Sequence, residues 1–463
     1  MVRYCIALEK EGIPTVAMIG PGFMTISKTI GKFEGIPELR VVGRVIFGST
    51  RFAWETFSHE ELAEEIVKAL ARPVVISGGQ AKSGSALQED ALSFAGDNVG
   101  ELVETVDKEF YKRHWTDGIP IIPPTEERIR WMLRGTDLPP DHVIGILEPQ
   151  KGVATVRTIA INAVMAGARP EYLPVILAMV EAIADPRFFF AGAQATGNTG
   201  AEMVIVSGPI AKALDIHSGF GLFGACWYPN FRIGRTLRLL SINVGGAWPG
   251  VNRMSTYKTP GSCGSWVFTE ATDLLPQGWN PLHVDMGHAP ETSTVSLMFL
   301  QEYTSAGECT CSIEQFVDIM KRNGGLSSYK LNSDCLLVLC PPCAEYMAKQ
   351  GYTKDDIRKE VFAKVHVPIK AERGHQRHME SLPEWIQKKQ VGELAPMHLE
   401  KPEDLVIAVA GGTAFYPYYG LFFSAHGAGE RLVTKEIDKY LPKNWENLLK
   451  EANASQSEKE VSA

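Results

Sequence analysis

Residues 13–22 read IPTVAMIGPG and residues 40–47 read RVVGRVIF. The first is a short apolar run that ends in the turn Gly20-Pro21-Gly22, so it reads as a buried strand and its turn. The second is richer in β-branched residues and reads as another strand. Between them, Phe23 to Phe33 carries apolar residues at helical spacing. After them, SHEELAEEIVKALA (58–71) starts with Ser58 as an N-cap and Glu61 three residues on, the pattern of a capping box. Strand, helix, strand, helix predicts a small parallel α/β unit. Pro73–Ser77 is a candidate last strand of that unit. The Gly/Ser-rich stretch 78–90, GGQAKSGSALQED, then reads as a linker or mobile loop.

The expected fold class is α/β, with a small parallel α/β N-terminal unit and a larger α/β (or α+β) domain. The small unit takes residues 1–90, a linker and leading helix 91–112, the larger domain 113–450, and a polar, disordered tail 451–463. Trp115–Thr125 is an extended entry segment with a turn at Asp117-Gly118. VATVRTIAINAVMAGA (153–168) and YLPVILAMVEAIAD (172–185) read as two apolar helices joined at Gly167–Pro170. Met203–Val206, Leu331–Leu339 and Leu405–Ala410 read as strands, and Thr353 caps a helix over TKDDIRKEVFAKV (353–365).

Composition narrows the function. The chain has 463 residues, 45% hydrophobic and 22% charged, as in ordinary soluble globular proteins. A formal charge of −8 argues against nucleic acid or an anionic membrane as the main partner. No apolar run is long enough to cross a bilayer, and the first residues lack the apolar core of a signal peptide. Eight cysteines are too few for a disulfide scaffold, so a cytoplasmic, reducing location is expected. A homo-oligomer or a partner subunit is left open.

Several constellations carry chemistry. AQATGNTGAEMVIVSGP (193–209) places Gln194, Thr196, Asn198 and Thr199 before a strand that ends in Ser207-Gly208-Pro209. Small residues let backbone approach a ligand and hydroxyls orient it; a tight turn is the bland alternative. Arg232, Arg235 and Arg238 repeat every three residues on a helix that Asn230 is placed to cap. Arg235, preceded by Gly234, is expected to hold an anionic substrate with its planar fork; a solvated charged face is the alternative. Cys263, in PGSCGSW, is a candidate nucleophile among small neighbours. In HVDMGH (283–288), His283 and Asp285 alternate, so on a strand they share a face and suit acid–base work. His283, Asp285 and His288 are also metal-ligand types, though no motif fixes a geometry. Cys340 and Cys343 form a C-x-x-C after a strand, a redox or metal spacing, and Cys309 and Cys311 precede them. The cofactor is unknown, and no dinucleotide fingerprint is present.

The order of several motifs resembles the UGSC-type (seleno)protein family with its large C-terminal domain. These are GIPTVAMIGPGF (12–23), WTDGIPIIPPT (115–125) and ATVRTIAINAVMAGARPEYLPVIL (154–177), then GAQATGNT (192–199) with VIVSGPI (204–210). IGRTLRLLSINVGG (233–246), WNPLHVDMG (279–287) and VAGG (409–412) complete the set. The resemblance implies an intracellular enzyme and gives no substrate. The family's redox motif would lie before Gly12, where Cys5 is the sole thiol and no Gly-Ser-Cys occurs, so the small unit reads as truncated. Cys343 in Pro341-Pro342-Cys343-Ala344 stands where the resemblance implies an imidazole.

The expected function is an enzyme acting on a small polar, anionic metabolite by acid–base, thiol-assisted carbon–heteroatom chemistry. Lyase- or hydrolase-like reactions are favoured over NAD(P)-dependent oxidation. His283, Asp285 and Cys263 would be catalytic, and Arg235, Gln194, Thr196, Asn198 and Thr199 would bind substrate. The alternatives are thiol-disulfide or metal-thiolate redox through Cys340 and Cys343, and a non-catalytic subunit of a complex with a redox-motif partner.

Overall fold

The computed structural model describes residues 2–20, 23–43, 59–76, 92–196, 199–224, 227–255, 264, 266–305, 312–323, 333–369, 384–396, 399–413, 420–425 and 431–460. The N-terminal unit centres on two short parallel strands, β1 (Ala17–Met18) and β2 (Val41–Val42). Helix α1 (Val2–Lys10) precedes them, α2 (Met24–Phe33) joins them and α3 (His59–Leu70) follows. The strand–helix–strand–helix order matches the sequence reading, with a shorter first strand and an added leading helix, and residues 44–47 of the expected second strand lie outside the described residues. Residues 73–76 form no strand, and Ser58 and the segment 78–90 lie outside the described residues. Ion pairs from Arg3 to Glu148 and from Lys151 to Glu34 tie this unit to the larger domain.

The larger domain opens with α4 (Val99–Lys112) and α5 (Glu126–Met132). An antiparallel pair follows, β3 (Val143–Leu147) with β4 (Gly152–Thr155). Residues 153–155 thus belong to a strand, not to the helix expected from Val153 onward. Thr155 takes the N-cap of α6 (Val156–Met165) in a reciprocal box with Thr158, and a capping residue stands outside its helix. Then come α7 (Leu173–Ala184), α8 (Phe190–Ala195), β5 (Ala201–Ser207), α9 (Pro209–Ala213), α10 (Tyr228–Asn243) and β6 (Trp266–Phe268). After α11 (Leu282–Asp285) the chain forms β7 (Thr294–Ser305), α12 (Ile313–Asn323), β8 (Cys335–Leu339), α13 (Pro341–Lys349) and α14 (Lys354–Lys364). A small hairpin pairs β9 (His366–Pro368) with β10 (Leu394–Pro396). Strands β11 (Leu405–Val409), β12 (Gly420–Ala425) and β13 (Val433–Glu436) come last.

One mixed seven-stranded sheet organises this domain, in the order β11-β8-β12-β7-β5-β6 with β13 also on β7. The chain is therefore an α/β protein with parallel and antiparallel strands together. Alternation along each strand sorts the two faces. Val204, Val206, Val295, Leu297 and Phe299 point to α6, α7 and α10. Leu337, Leu339, Leu405, Ile407 and Val409 share a core with α12, α13 and α14.

The opposite face packs against itself. Met203, Phe268, Met298, Val338, Ala408 and Phe423, one from each of six strands, belong to a single apolar cluster. Trp266 of β6 lies 5.4 Å, centroid to centroid, from Phe423 of β12, although a flat sheet would hold these strands, three spacings apart, about 14 Å from each other. The sheet instead curls until its edges meet. Ala271, just beyond β6, donates its N–H to the Val409 carbonyl of β11 at 2.8 Å. The backbone of His217 and Ser218 wedges the rest of this seam, accepting from Thr269 at 3.2 Å and Gly411 at 2.7 Å. Phe223 fills the concave side, edge-on to Phe268 and Phe423 at centroid distances of 5.5 Å.

The tail is a second correction. Trp445–Glu460 is a helix, so residues 451–460 are ordered. Its Leu448 and Ala452 are buried, Arg134 pairs with Glu451 at 2.6 Å, and Arg169 reaches the Ala452 carbonyl at 3.5 Å. Docking of one face outweighs a polar composition that alone would favour disorder.

Candidate active site

The arginine helix is set by packing. Tyr228 starts α10, with Trp227 rather than Asn230 at its N-cap. Asn230 instead accepts from His217 N at 2.9 Å and donates to the Val267 carbonyl at 2.7 Å. A Cβ on Gly234 would fall 1.5 Å from the Gly264 carbonyl oxygen. The crowding read from Gly234 is thus the approach of backbone, not of a ligand. Arg235 is only 2% exposed and its fork is spent inside the protein. Nη2 and Nε donate to the Asp117 carboxylate at 2.9 and 3.2 Å, and the Ile119 and Pro120 carbonyls accept at 2.6 and 2.9 Å. This corrects the expectation that Arg235 holds an anionic substrate: a buried, paired guanidinium pins the entry segment to α10. Arg232 is likewise engaged, donating to the Ala166 carbonyl at 2.7 Å.

The expected single site is divided along β5. Gln194 lies at the end of α8, before β5; it is fully buried and donates to Glu202 Oε1 at 3.1 Å. Thr196 and Thr199 are half-buried beside it, while Asn198 and Cys263 lie outside the described residues. His283 belongs to the other end, where Ser207 closes β5. Ala201 pairs with Leu300 of β7 and Ser207 with Thr294. Seven residues of strand separate the two ends by about 20 Å.

His283 and Asp285 do not act as a pair. Residues 282–285 are helical, so two positions two apart point to different sides, unlike the strand expected from their alternation. Asp285 accepts from Lys354 Nζ at 3.0 Å. Lys354 also meets the Asn280 carbonyl at 2.8 Å and Glu270 Oε1 at 3.5 Å. Glu270 accepts from the backbone N–H of Leu282 and, at 3.1 Å, of Val409. This buried network locks α11 and α14 onto the seam of the sheet. His288 faces Glu436, with Nδ1 3.4 Å from its carboxylate.

The network presents His283 in one orientation. Its Nε2 lies 3.2 Å from the Pro290 carbonyl, which can only accept, so Nε2 carries the hydrogen. In the neutral ring Nδ1 then holds the lone pair. The side chain is 3% exposed, and Nδ1 has no hydrogen-bond partner among the described residues. Two hydroxyls at the same end of the sheet share that condition. Ser207 (4% exposed) and Thr294 (0%) are direct cross-strand partners, and among the described residues neither Oγ of Ser207 nor Oγ1 of Thr294 has a hydrogen-bond partner. Both follow apolar concave-face residues, Ile205 on β5 and, in reverse, Met298 on β7, with Ser296 between. Helix α11 covers this end, with Leu282 in the concave cluster and Met286 Sδ 3.9 Å from Ser296 Oγ and 3.5 Å from Thr434 Oγ1.

Sequence reading missed Thr294, Glu270 and Lys354. Thr294 and Ser296 were findable, since TVSLMF alternates polar with apolar residues into a concave face. The Glu270–Lys354 contact joins residues distant in sequence and has no local signal.

The two cysteines of the C-x-x-C do not join each other. Cys343 is buried and disulfide-bonded, whereas Cys340 is a thiol at the N-cap of α13. An open groove of about 710 Å³ adjoins this helix start, lined by residues including Leu275, Pro276, Pro341, Pro342, Lys349 and Thr413. Among the described residues, no group of three or more His, Cys, Asp or Glu is arranged to hold a metal ion, and no helix is long and apolar enough to cross a membrane. No family model, curated protein or solved structure matches the chain.

Proposed function

We propose that the chain is an enzyme that performs acid–base carbon–heteroatom chemistry on a small polar metabolite at the polar end of the curved sheet. The observation that carries this reading is a trio of buried polar atoms without hydrogen-bond partners among the described residues: His283 Nδ1, Ser207 Oγ and Thr294 Oγ1. Leaving a buried polar group unbonded costs about 1–3 kcal/mol, a cost that a substrate supplying the missing partners would offset. Nδ1 would take a proton from the substrate, and the two hydroxyls would orient it. The carboxyl ends of the parallel strands β5 and β6 meet at this end, where ligands of α/β sheets commonly sit. Because the trio is buried, a substrate reaches it only when the four-residue helix α11 lifts. The UGSC-type resemblance belongs to the same proposal and agrees with an intracellular enzyme.

The test is a screen of small polar metabolites for turnover and thermal stabilisation, run on the wild type and on His283→Gln. A compound turned over by the wild type, with kcat reduced at least ~100-fold in the variant, supports the reading. Equal turnover by both proteins rejects it.

A second reading, thiol–disulfide chemistry, is favoured by one observation. A Cys340 thiol and a disulfide-bonded Cys343 sit at the start of the same helix. Thiol titration of the native chain, before and after mild reduction, tests it. If reduction releases no reactive thiol, this second reading fails.

A further inference from the structure

Met254 donates its N–H to the Gln194 carbonyl at 3.1 Å, which lays the loop after α10 against the end of α8. Four buried polar side chains come from these neighbouring segments and the start of β5: Gln194, Glu202, Asn252 and Arg253. The hydrogen-bond network fixes both amides. Gln194 Nε2 faces Glu202 Oε1 at 3.1 Å, and a carboxylate only accepts. Asn252 Nδ2 faces the Gly246 carbonyl at 3.1 Å, and a carbonyl also only accepts. The atoms left over are therefore two oxygens, Gln194 Oε1 and Asn252 Oδ1. Both side chains are 0% exposed, and neither oxygen has a partner among the described residues.

We propose that these segments form a second small-molecule site, for a ligand that carries a primary ammonium group and a carboxylate, as an α-amino acid does. An ammonium has three donors and no acceptor, which suits two amide oxygens beside a carboxylate. Glu202 supplies the negative pole of the site. Arg253, buried on the same loop as Asn252, supplies the positive pole for the ligand's carboxylate. The site lies at the opposite end of β5 from His283, about 20 Å away. It therefore does not rest on the proposed catalytic reading, and its occupant is an effector or a second substrate.

Thermal melts of the full chain with glycine and with glycolate test this, since glycolate keeps the carboxylate and replaces the ammonium by a hydroxyl. Glycine at tens of millimolar is expected to raise the melting temperature by at least ~2 °C, and glycolate to leave it unchanged. Gln194→Met is expected to lose the glycine response, and His283→Gln to keep it, which separates this site from the first. Equal shifts with both compounds, or none with glycine, would overturn the proposal. Should Gln194→Met fail to fold, crystals of the wild type grown with glycine decide. A glycine nitrogen within hydrogen-bond distance of both oxygens supports the site, and water alone on them overturns it.

Discussion

At the scale of single residues, the same chemistry has opposite consequences in two places. Arg235 and Asp117 bury a fully bonded ion pair, so cutting it leaves an unpaired charge in the core. Arg235→Ala is expected to lower unfolding stability in urea by about 3–5 kcal/mol. Were Arg235 a substrate-holding group that costs stability, the variant would hold or gain stability instead. Thr294 is the reverse case, a buried hydroxyl with no partner among the described residues. Thr294→Val keeps the shape and removes an unbonded oxygen, so stability should stay level or rise by about 1 kcal/mol while turnover falls. A loss of stability with turnover intact would mark Thr294 as structural. The sequence singled out Arg235 and His283 but not what they touch. Whether a guanidinium faces a ligand or a buried aspartate 118 positions away depends on tertiary contact, which spacing along one helix cannot reveal.

At the scale of elements, legibility followed local chemistry. Thr353 caps α14 in a reciprocal box with Asp356, as its sequence suggested, because capping is decided within four residues. His283–Asp285 alternates like a strand yet forms a helical turn, because Glu270 holds the Leu282 N–H and Lys354 holds Asp285. The helix over residues 445–460 was unreadable for a similar reason: its anchors, Arg134 and Arg169, lie some 300 positions earlier. Asp185 offers an element-level test, since it ends α7 and receives Lys435 of β13 at 3.0 Å. Its hydrogen bonds with Arg187, reinforced by Lys435 against the cost of burial, hold its carboxyl well below the usual carboxylate range. A carboxyl whose folded pKa is depressed stabilises the fold above its unfolded value, near 4, and that contribution is lost as pH falls through the lower, folded value. Urea unfolding between about pH 5 and pH 2 should therefore show a shallower acid slope for Asp185→Asn than for the wild type. Identical slopes would mean that Asp185 does not bind α7 to β13.

At the scale of the whole molecule, the sheet curls and the seam at Glu270 and Lys354 holds its edges together. Short apolar runs identified β5, β8 and β11 but not β6, β7, β12 or β13, and nothing local encodes that β6 and β11 meet, since that depends on Glu270, Lys354 and the wedge at His217 and Ser218. Lys354→Met should leave the buried Glu270 carboxylate without its counter-charge and cost about 3–5 kcal/mol in urea, with a matching loss of turnover as α11 loosens. Stability unchanged in that variant would mean the seam is held by packing alone. The folded domain delivers His283 to the polar end of the sheet with no partner on Nδ1 among the described residues. Long-range proton–nitrogen spectra of histidine-labelled protein, assigned with His283→Gln, read this directly. One ring hydrogen is expected, on Nε2, with Nδ1 at the shift of an unprotonated nitrogen; a hydrogen on Nδ1 and a bare Nε2 would overturn this arrangement.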